Sequence, residues 1–209
     1  MLKAIFIDKD GTLIPDIPFN VNPDLIVLEE GVIDGLVELN SKGYLFIIIS
    51  NQSGIAHGYF PEEEMAAVQE HIAQRLLEKS IRLNGFYYCP HYPGAAVEKY
   101  NKICSCRKPM PGLILQAAAD FAIDLSQSWM IGDILNDVEA GNRAGCRTIL
   151  IDNGNETEWR MDTILRTPSF MAKDMRQAAR FILSSIHLME TLNNKIENTK
   201  HQNHTFLYE

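Results

Sequence analysis

The sequence predicts an α/β fold, doubly wound about a mostly parallel sheet with helices on both faces. Short apolar runs recur at 3–7, 44–49, 86–88, 129–131 and 147–151. None alternates cleanly with polar residues, which is how a strand covered on both faces reads. Segments of helical spacing separate them, and strand–helix alternation implies a parallel sheet.

The first run, KAIFI, ends at Asp8. Residues 14–30, with Pro15, Pro18 and Pro23, read as a loop placed to fold over the mouth of a site. Val32, Leu36 and Leu39 mark a helix that Gly43 stops. The run YLFIII ends at Ser50. Pro61 and three glutamates then open a longer helix with a stripe at Met65, Val68, Ile72 and Leu76, where acidic charge suits the helix dipole. The third run, FYY at 86–88, leads into residues 90–112, which carry four prolines and no apolar period. Something other than a core must order them. A helix from Leu113 to Ala122 follows Pro111, the run WMI ends in Gly132-Asp133, and a helix spans Asp137 to Ala144 before RTILI. Phe170 to Leu188 reads as a final amphipathic helix within a helical extension over 155–190, and 191–209 reads as a flexible tail. One domain over 1–190 with its core at 2–152 is the expected organisation. Trp129 should pack at the sheet, and Trp159 should hold the extension against it.

Composition narrows the function classes. The 209 residues are 46% apolar and 22% charged, as in a folded domain. At this size roughly 70% of the chain's surface can be buried, so no disulfide or metal is needed merely to make a core. Net charge is −8, with 27 acidic against 19 basic residues, which argues against nucleic acid as a partner. No apolar run is long enough to span a bilayer, and the charges within MLKAIFIDKDG do not suit a signal peptide. The expectations are no membrane association, a cytoplasmic location, and a monomer or weak homodimer.

In a parallel sheet, ligands bind beyond the carboxyl ends of the strands. The first strand runs into Asp8-Lys9-Asp10-Gly11-Thr12. Two carboxylates this close read as a magnesium site or an acid/base pair, beside the plainer reading of a solvated Asp-Gly turn. Ser50-Asn51-Gln52-Ser53-Gly54 offers hydroxyl, amide and backbone groups for a phosphate. Arg107-Lys108-Pro109 adds positive charge, Asp133 adds a third carboxylate, and Asp137 follows four residues later. Asp8, Asp10, Ser50, Lys108 and Asp133 should meet at one sheet edge. That set suits attack by a carboxylate on phosphorus, with Mg²⁺ and a lysine offsetting negative charge. A P-loop and a G-x-S-x-G elbow are both absent from the sequence.

The segment Cys89-Pro90-His91 … Cys104-Ser105-Cys106 supplies three thiolates and one imidazole, a tetrahedral set suited to Zn²⁺. With four protein ligands no position is left for a reactive water, so this zinc would be structural and would tie the 89–106 loop at its base. Cys146 reads as a small buried hydrophobe.

DKDGT, SNQSG, RKP and GDILND resemble the four motifs of the haloacid dehalogenase-like phosphohydrolases. Their order is most similar to the heptose bisphosphate phosphatases, with the histidinol phosphatases next. The resemblance covers about residues 2–152. It implies Asp8 as nucleophile and Asp10 as general acid and later base. It also implies Mg²⁺ held by Asp8, the Asp10 main-chain carbonyl and Asp133, with Ser50, Asn51, Arg107 and Lys108 binding phosphate or substrate. The long interval between the Cys89/His91 and Cys104/Cys106 pairs resembles that of the heptose enzymes, whose zinc loop it would match. Three departures stand out. His57 and Ile134 occupy positions where those enzymes usually carry arginine and lysine, and the loop after Thr12 differs. A surface or packing role for His57 stands beside one in substrate contact.

The expectation is therefore hydrolysis of a phosphate monoester on a small phosphorylated sugar through an aspartyl-phosphate, with D-glycero-D-manno-heptose 1,7-bisphosphate leading. Histidinol phosphate or another small phosphate is the alternative enzyme reading. A catalytically inactive domain that only binds a phospho-ligand or partner is the alternative outside enzymology.

Overall fold

Six strands, every neighbouring pair parallel, form one sheet in the order β3-β2-β1-β4-β5-β6 in the computed structural model, which describes residues 1–188 and 191. The strands are β1 (Lys3–Ile7), β2 (Tyr44–Asn51), β3 (Leu83–Cys89), β4 (Trp129–Gly132), β5 (Arg147–Ile151) and β6 (Phe170–Ala172). The helices are α1 (Val32–Asn40), α2 (Ser53–His57), α3 (Glu64–Leu77), α4 (Gly112–Phe121), α5 (Leu135–Ala144) and α6 over 175–188.

Each central strand is buried on both faces because alternate residues enter two different cores. Ile5, Ile7, Phe46, Ile48, Trp129 and Ile131 pack with α1, α3 and α6. Ala4, Phe6, Ile47, Ile49 and Met130 pack with α4 and α5 on the opposite face. Continuous apolar runs are what this geometry requires. Trp129 is 1% exposed and meets Phe181 of α6 edge to face, with ring centroids 6.0 Å apart. No described helix is long and apolar enough to cross a membrane.

Strand order turns back between β1 and β4, so the loops leaving these two neighbours open a crevice at the carboxyl edge. The parallel register pairs Ile7 with Ile131, and the Asp8 amide donates to the Ile131 carbonyl at 2.9 Å. Asp8 and Asp133 are thereby set side by side.

The sequence expectations need correction in four places. The expected helix from Phe170 begins instead with β6, and only 175–188 is helical. Three apolar residues carry too little periodicity to separate the two, and pairing with β5 decides it. Residues 155–169 are irregular apart from a 3-10 turn at Ile164–Arg166, so the extension is not helical throughout. β3 extends beyond 86–88 at both ends; Leu83, Asn84 and Gly85 are half-buried on an edge strand, which tolerates polar residues. Finally, Ser53–His57 forms α2, which is not among the expected helices because Ser and Gly at its start read as loop formers. The tail expected over 191–209, including His201 and His204, lies outside the described residues beyond 191.

Candidate active site

Asp8, Asp10, Asn51, Gln52, Lys108, Asp133, Ile134 and Asn155 line one cleft of about 330 Å³ at the carboxyl edge. Asp8, Asp133 and Asp137 are buried, and each places a carboxylate oxygen within 4.8 Å of the others. Lys108, only 3% exposed, counters them: its ammonium pairs with Asp8 and lies 2.6 Å from Asp137 Oδ1, and it donates to the Ile49 carbonyl at 3.0 Å. One lysine against three carboxylates leaves the cluster negative and short of a cation.

The pKa shifts register that deficit. Burial, followed by the charges of Asp8 and Asp137, pushes the Asp133 carboxyl up to about 8. Burial pushes Asp137 up to about 6 against the pull of Lys108. Hard carboxylate oxygens gathered at a strand end fit Mg²⁺, and binding it would remove the repulsion.

Asp10 is placed differently. Lys9 Nζ lies 2.5 Å from its Oδ1, and Gln52 Nε2 donates to its Oδ2 at 2.9 Å. Burial raises its pKa despite the opposing Lys9 charge, a setting suited to a carboxyl that donates a proton. Gln52 also donates to Ser50 Oγ at 2.8 Å, joining the first and second strand ends.

The four residues expected to hold phosphate separate in the structure. Ser50 is buried beneath the cleft and Lys108 faces Asp8. The Asn51 carboxamide clasps the Lys108 backbone, donating to its carbonyl at 3.2 Å and accepting from its amide at 3.0 Å. Its described bonds position the lysine. Arg107 lines a neighbouring cleft of about 420 Å³, with its guanidinium 4.8 Å from the Tyr92 ring centroid. Lys108 borders both clefts.

Two residues to which the sequence assigns no role lie buried against the catalytic candidates, Lys9 paired with Asp10 and Asp137 with Lys108, while Gln52, expected only as part of the phosphate-binding segment, bridges Asp10 and Ser50. Asp137 follows Asp133 by four residues and lies in the first turn of α5, a spacing that could have revealed it. Thr12 and Asn155 also bond Asp133, at 3.1 and 2.7 Å. Beside the cleft, Phe19, His57, Tyr59 and Tyr92 gather from the 14–30 loop, the end of α2 with the turn after it, and the 90–111 loop. The His57 ring centroid is 5.4 Å from that of Tyr59 and 4.9 Å from that of Tyr92, and Phe19 meets Tyr59 at 4.6 Å. Phe19 holds a left-handed backbone (φ 57°), which is costly for a bulky residue and persists here where its ring meets Tyr59.

The second cluster lies at the base of the 90–111 loop. Cys106 Sγ is 2.9 Å from Cys89 Sγ, 3.1 Å from Cys104 Sγ and 3.2 Å from His91 Nδ1. All four cysteines of the chain are free of disulfides. Cys146 is buried and its thiol is pushed up to about 12 by that burial, in keeping with a packing role.

A HAD-hydrolase-like family model matches residues 105–178. The D-glycero-beta-D-manno-heptose-1,7-bisphosphate 7-phosphatase of Photorhabdus laumondii is 36% identical over 185 residues, spanning 88% of this chain and 92% of its own. The enzyme of the same name from Haemophilus influenzae is 38% identical, spanning 89% and 94%. Among solved structures, the D,D-heptose 1,7-bisphosphate phosphatase of B. bronchiseptica, complexed with magnesium and phosphate, superposes with a TM-score of 0.76. It is 26% identical and covers 88% of this chain and 99% of its own.

Proposed function

Since the chain belongs to the haloacid dehalogenase-like phosphohydrolases, in the group of the heptose bisphosphate phosphatases, we propose that it removes the 7-phosphate of D-glycero-D-manno-heptose 1,7-bisphosphate and leaves the 1-phosphate. The observation that carries this reading is the meeting of Asp8, Asp10, Lys108 and Asp133 around one cleft, in a chain this similar to enzymes of that name.

Asp8 attacks phosphorus and forms an aspartyl-phosphate as the bond to the sugar oxygen breaks. Asp10, held at both oxygens by Lys9 and Gln52, gives its proton to the departing oxygen. It then takes one from the water that hydrolyses the intermediate. Lys108 meets negative charge on the phosphoryl oxygens, and Asn51 keeps its backbone in place. Ser50 supports the same edge through Gln52. Asp8, Asp133 and the Asp10 main-chain carbonyl would hold Mg²⁺, with Asp137 completing the acidic wall. Bound there, the ion offsets the repulsion between the carboxylate nucleophile and an anionic substrate.

Cys89, His91, Cys104 and Cys106 would hold one structural Zn²⁺. Zn–S bonds of about 2.3 Å imply tetrahedral edges of about 3.8 Å. Five separations among these atoms, 2.9–3.7 Å, lie up to about 0.9 Å below that edge, so the ligands would move apart to take the ion. Such a tie orders a proline-rich loop that has little core of its own and carries Tyr92 and Arg107 to the substrate side.

The aromatic group beside the cleft favours a second reading. With His57 and Ile134 at the site, the leaving-group side offers rings and Arg107 rather than several cations, which suits histidinol phosphate or another small monophosphate. Measuring phosphate release from both anomers of the heptose bisphosphate and from histidinol phosphate decides between them. A preference for histidinol phosphate overturns the heptose assignment and leaves the Asp8 chemistry standing.

A further inference from the structure

We infer that the turn 153–156, which follows β5 outside all four motifs, is a latch on the metal-binding edge, with Asn155 as a positioning residue for Asp133. The inference rests on the reading of Asp133 as a magnesium ligand.

Three consecutive polar side chains around one glycine reach three separate parts of the site. Asn153 Nδ2 donates to the Gly11 carbonyl at 2.7 Å, securing the turn after Asp10. Asn155 Nδ2 donates to Asp133 Oδ2 at 2.7 Å. Glu156 Oε2 accepts from the Leu135 amide at 2.6 Å, placing negative charge at the N-terminus of α5, the helix that carries Asp137. The turn is itself braced. Gly154 adopts φ 99°, a conformation that side chains disfavour, and the Asn155 amide donates back to Asn153 Oδ1 at 3.1 Å. Glu156 Oε1 accepts from the Glu158 amide at 2.7 Å.

Gly11 shows how closely the parts fit. A Cβ at this position would stand 2.1 Å from Asp133 Oδ2 and 2.5 Å from Asn155 Nδ2, so the bonded pair occupies the space a side chain would take. Asp133 is 3% exposed and has two described side-chain donors, Thr12 and Asn155, the latter at the shorter distance. A buried carboxylate freed on one side can rotate, and a rotated ligand binds a small cation poorly. Asn155 lies on an exposed turn, so its replacement spares the core.

The experiment is calorimetric titration of Mg²⁺ into the magnesium-free full-length protein, comparing the parent with Asn155→Ala and Asp133→Asn. The expected result is a dissociation constant raised about 10–100-fold by Asn155→Ala, the usual cost of losing such a support, with kcat largely recovered at saturating Mg²⁺. Asp133→Asn should abolish measurable binding. An Asn155→Ala protein that binds Mg²⁺ within about twofold of the parent, while Asp133→Asn does not bind, overturns the latch alone. If Asp133→Asn binds like the parent, the metal site falls and the latch with it.

Discussion

Magnesium-free protein should lose stability between pH 6 and pH 8, and Mg²⁺ should restore most of it. Asp133 carries the effect: its carboxyl is pushed from an ordinary 3.8 up to about 8 by burial and then by the charges of Asp8 and Asp137. Between those values the folded protein keeps a proton that the unfolded chain has released. A carboxyl raised in this way contributes stability that is fully present below the unfolded value and lost as pH rises through the folded one. From pH 6 to 8 the loss comes to about 2 kcal/mol for this group, or about 4–8 °C in melting temperature for a chain of this size. Mg²⁺ takes the place of the proton, so its stabilising effect should be larger at pH 8. The assay is thermal unfolding at both pH values with and without Mg²⁺, for the parent and for Asp133→Asn. The variant has no carboxyl to titrate at this position and should show a correspondingly smaller fall. Equal slopes for the two proteins would refute the assignment of the pH dependence to Asp133.

The other expectations follow from the same geometry. Asp8→Asn should keep the fold and lose turnover, because an amide cannot form the acyl phosphate; near-parental phosphate release would remove Asp8 as nucleophile. Lys108→Met should cost about 3–5 kcal/mol in urea unfolding, since it leaves Asp8 and Asp137 buried without their shared cation. A loss below about 1 kcal/mol would show that these carboxylates do not depend on it. Elemental analysis should find one zinc per chain, and Cys104→Ser should lower that content and expose the 90–111 loop to protease; zinc-free protein with a protected loop would end the zinc reading. Arg107→Ala should reduce kcat/KM for the heptose bisphosphate more than for a monophosphate lacking the second group, by about 1–3 kcal/mol in relative terms. Equal losses would take Arg107 out of substrate selection.

The central sheet and the main catalytic candidates were legible in the sequence for one physical reason. Buried parallel strands are written as continuous apolar runs, and the residue that ends each run must lie at the ligand-binding edge. Asp8, Ser50 and Asp133 could be assigned together from that rule, with no knowledge of strand order. Cys89, His91, Cys104 and Cys106 could be grouped because short chelating spacings survive whatever path the intervening loop takes. Tertiary structure decided what local pattern cannot encode. Gln52 becomes a bridge between Asp10 and Ser50 only when β1 and β2 lie in register. Asn51 turns to the Lys108 backbone, 57 residues away, because the loop before α4 returns to the end of β2. Phe170–Ala172 pairs as a strand because β5 offers it an edge. Asn155 reaches Asp133 across 22 residues of chain, and no periodicity or motif marks that bond, because it exists only where two separate strand-end loops approach in space.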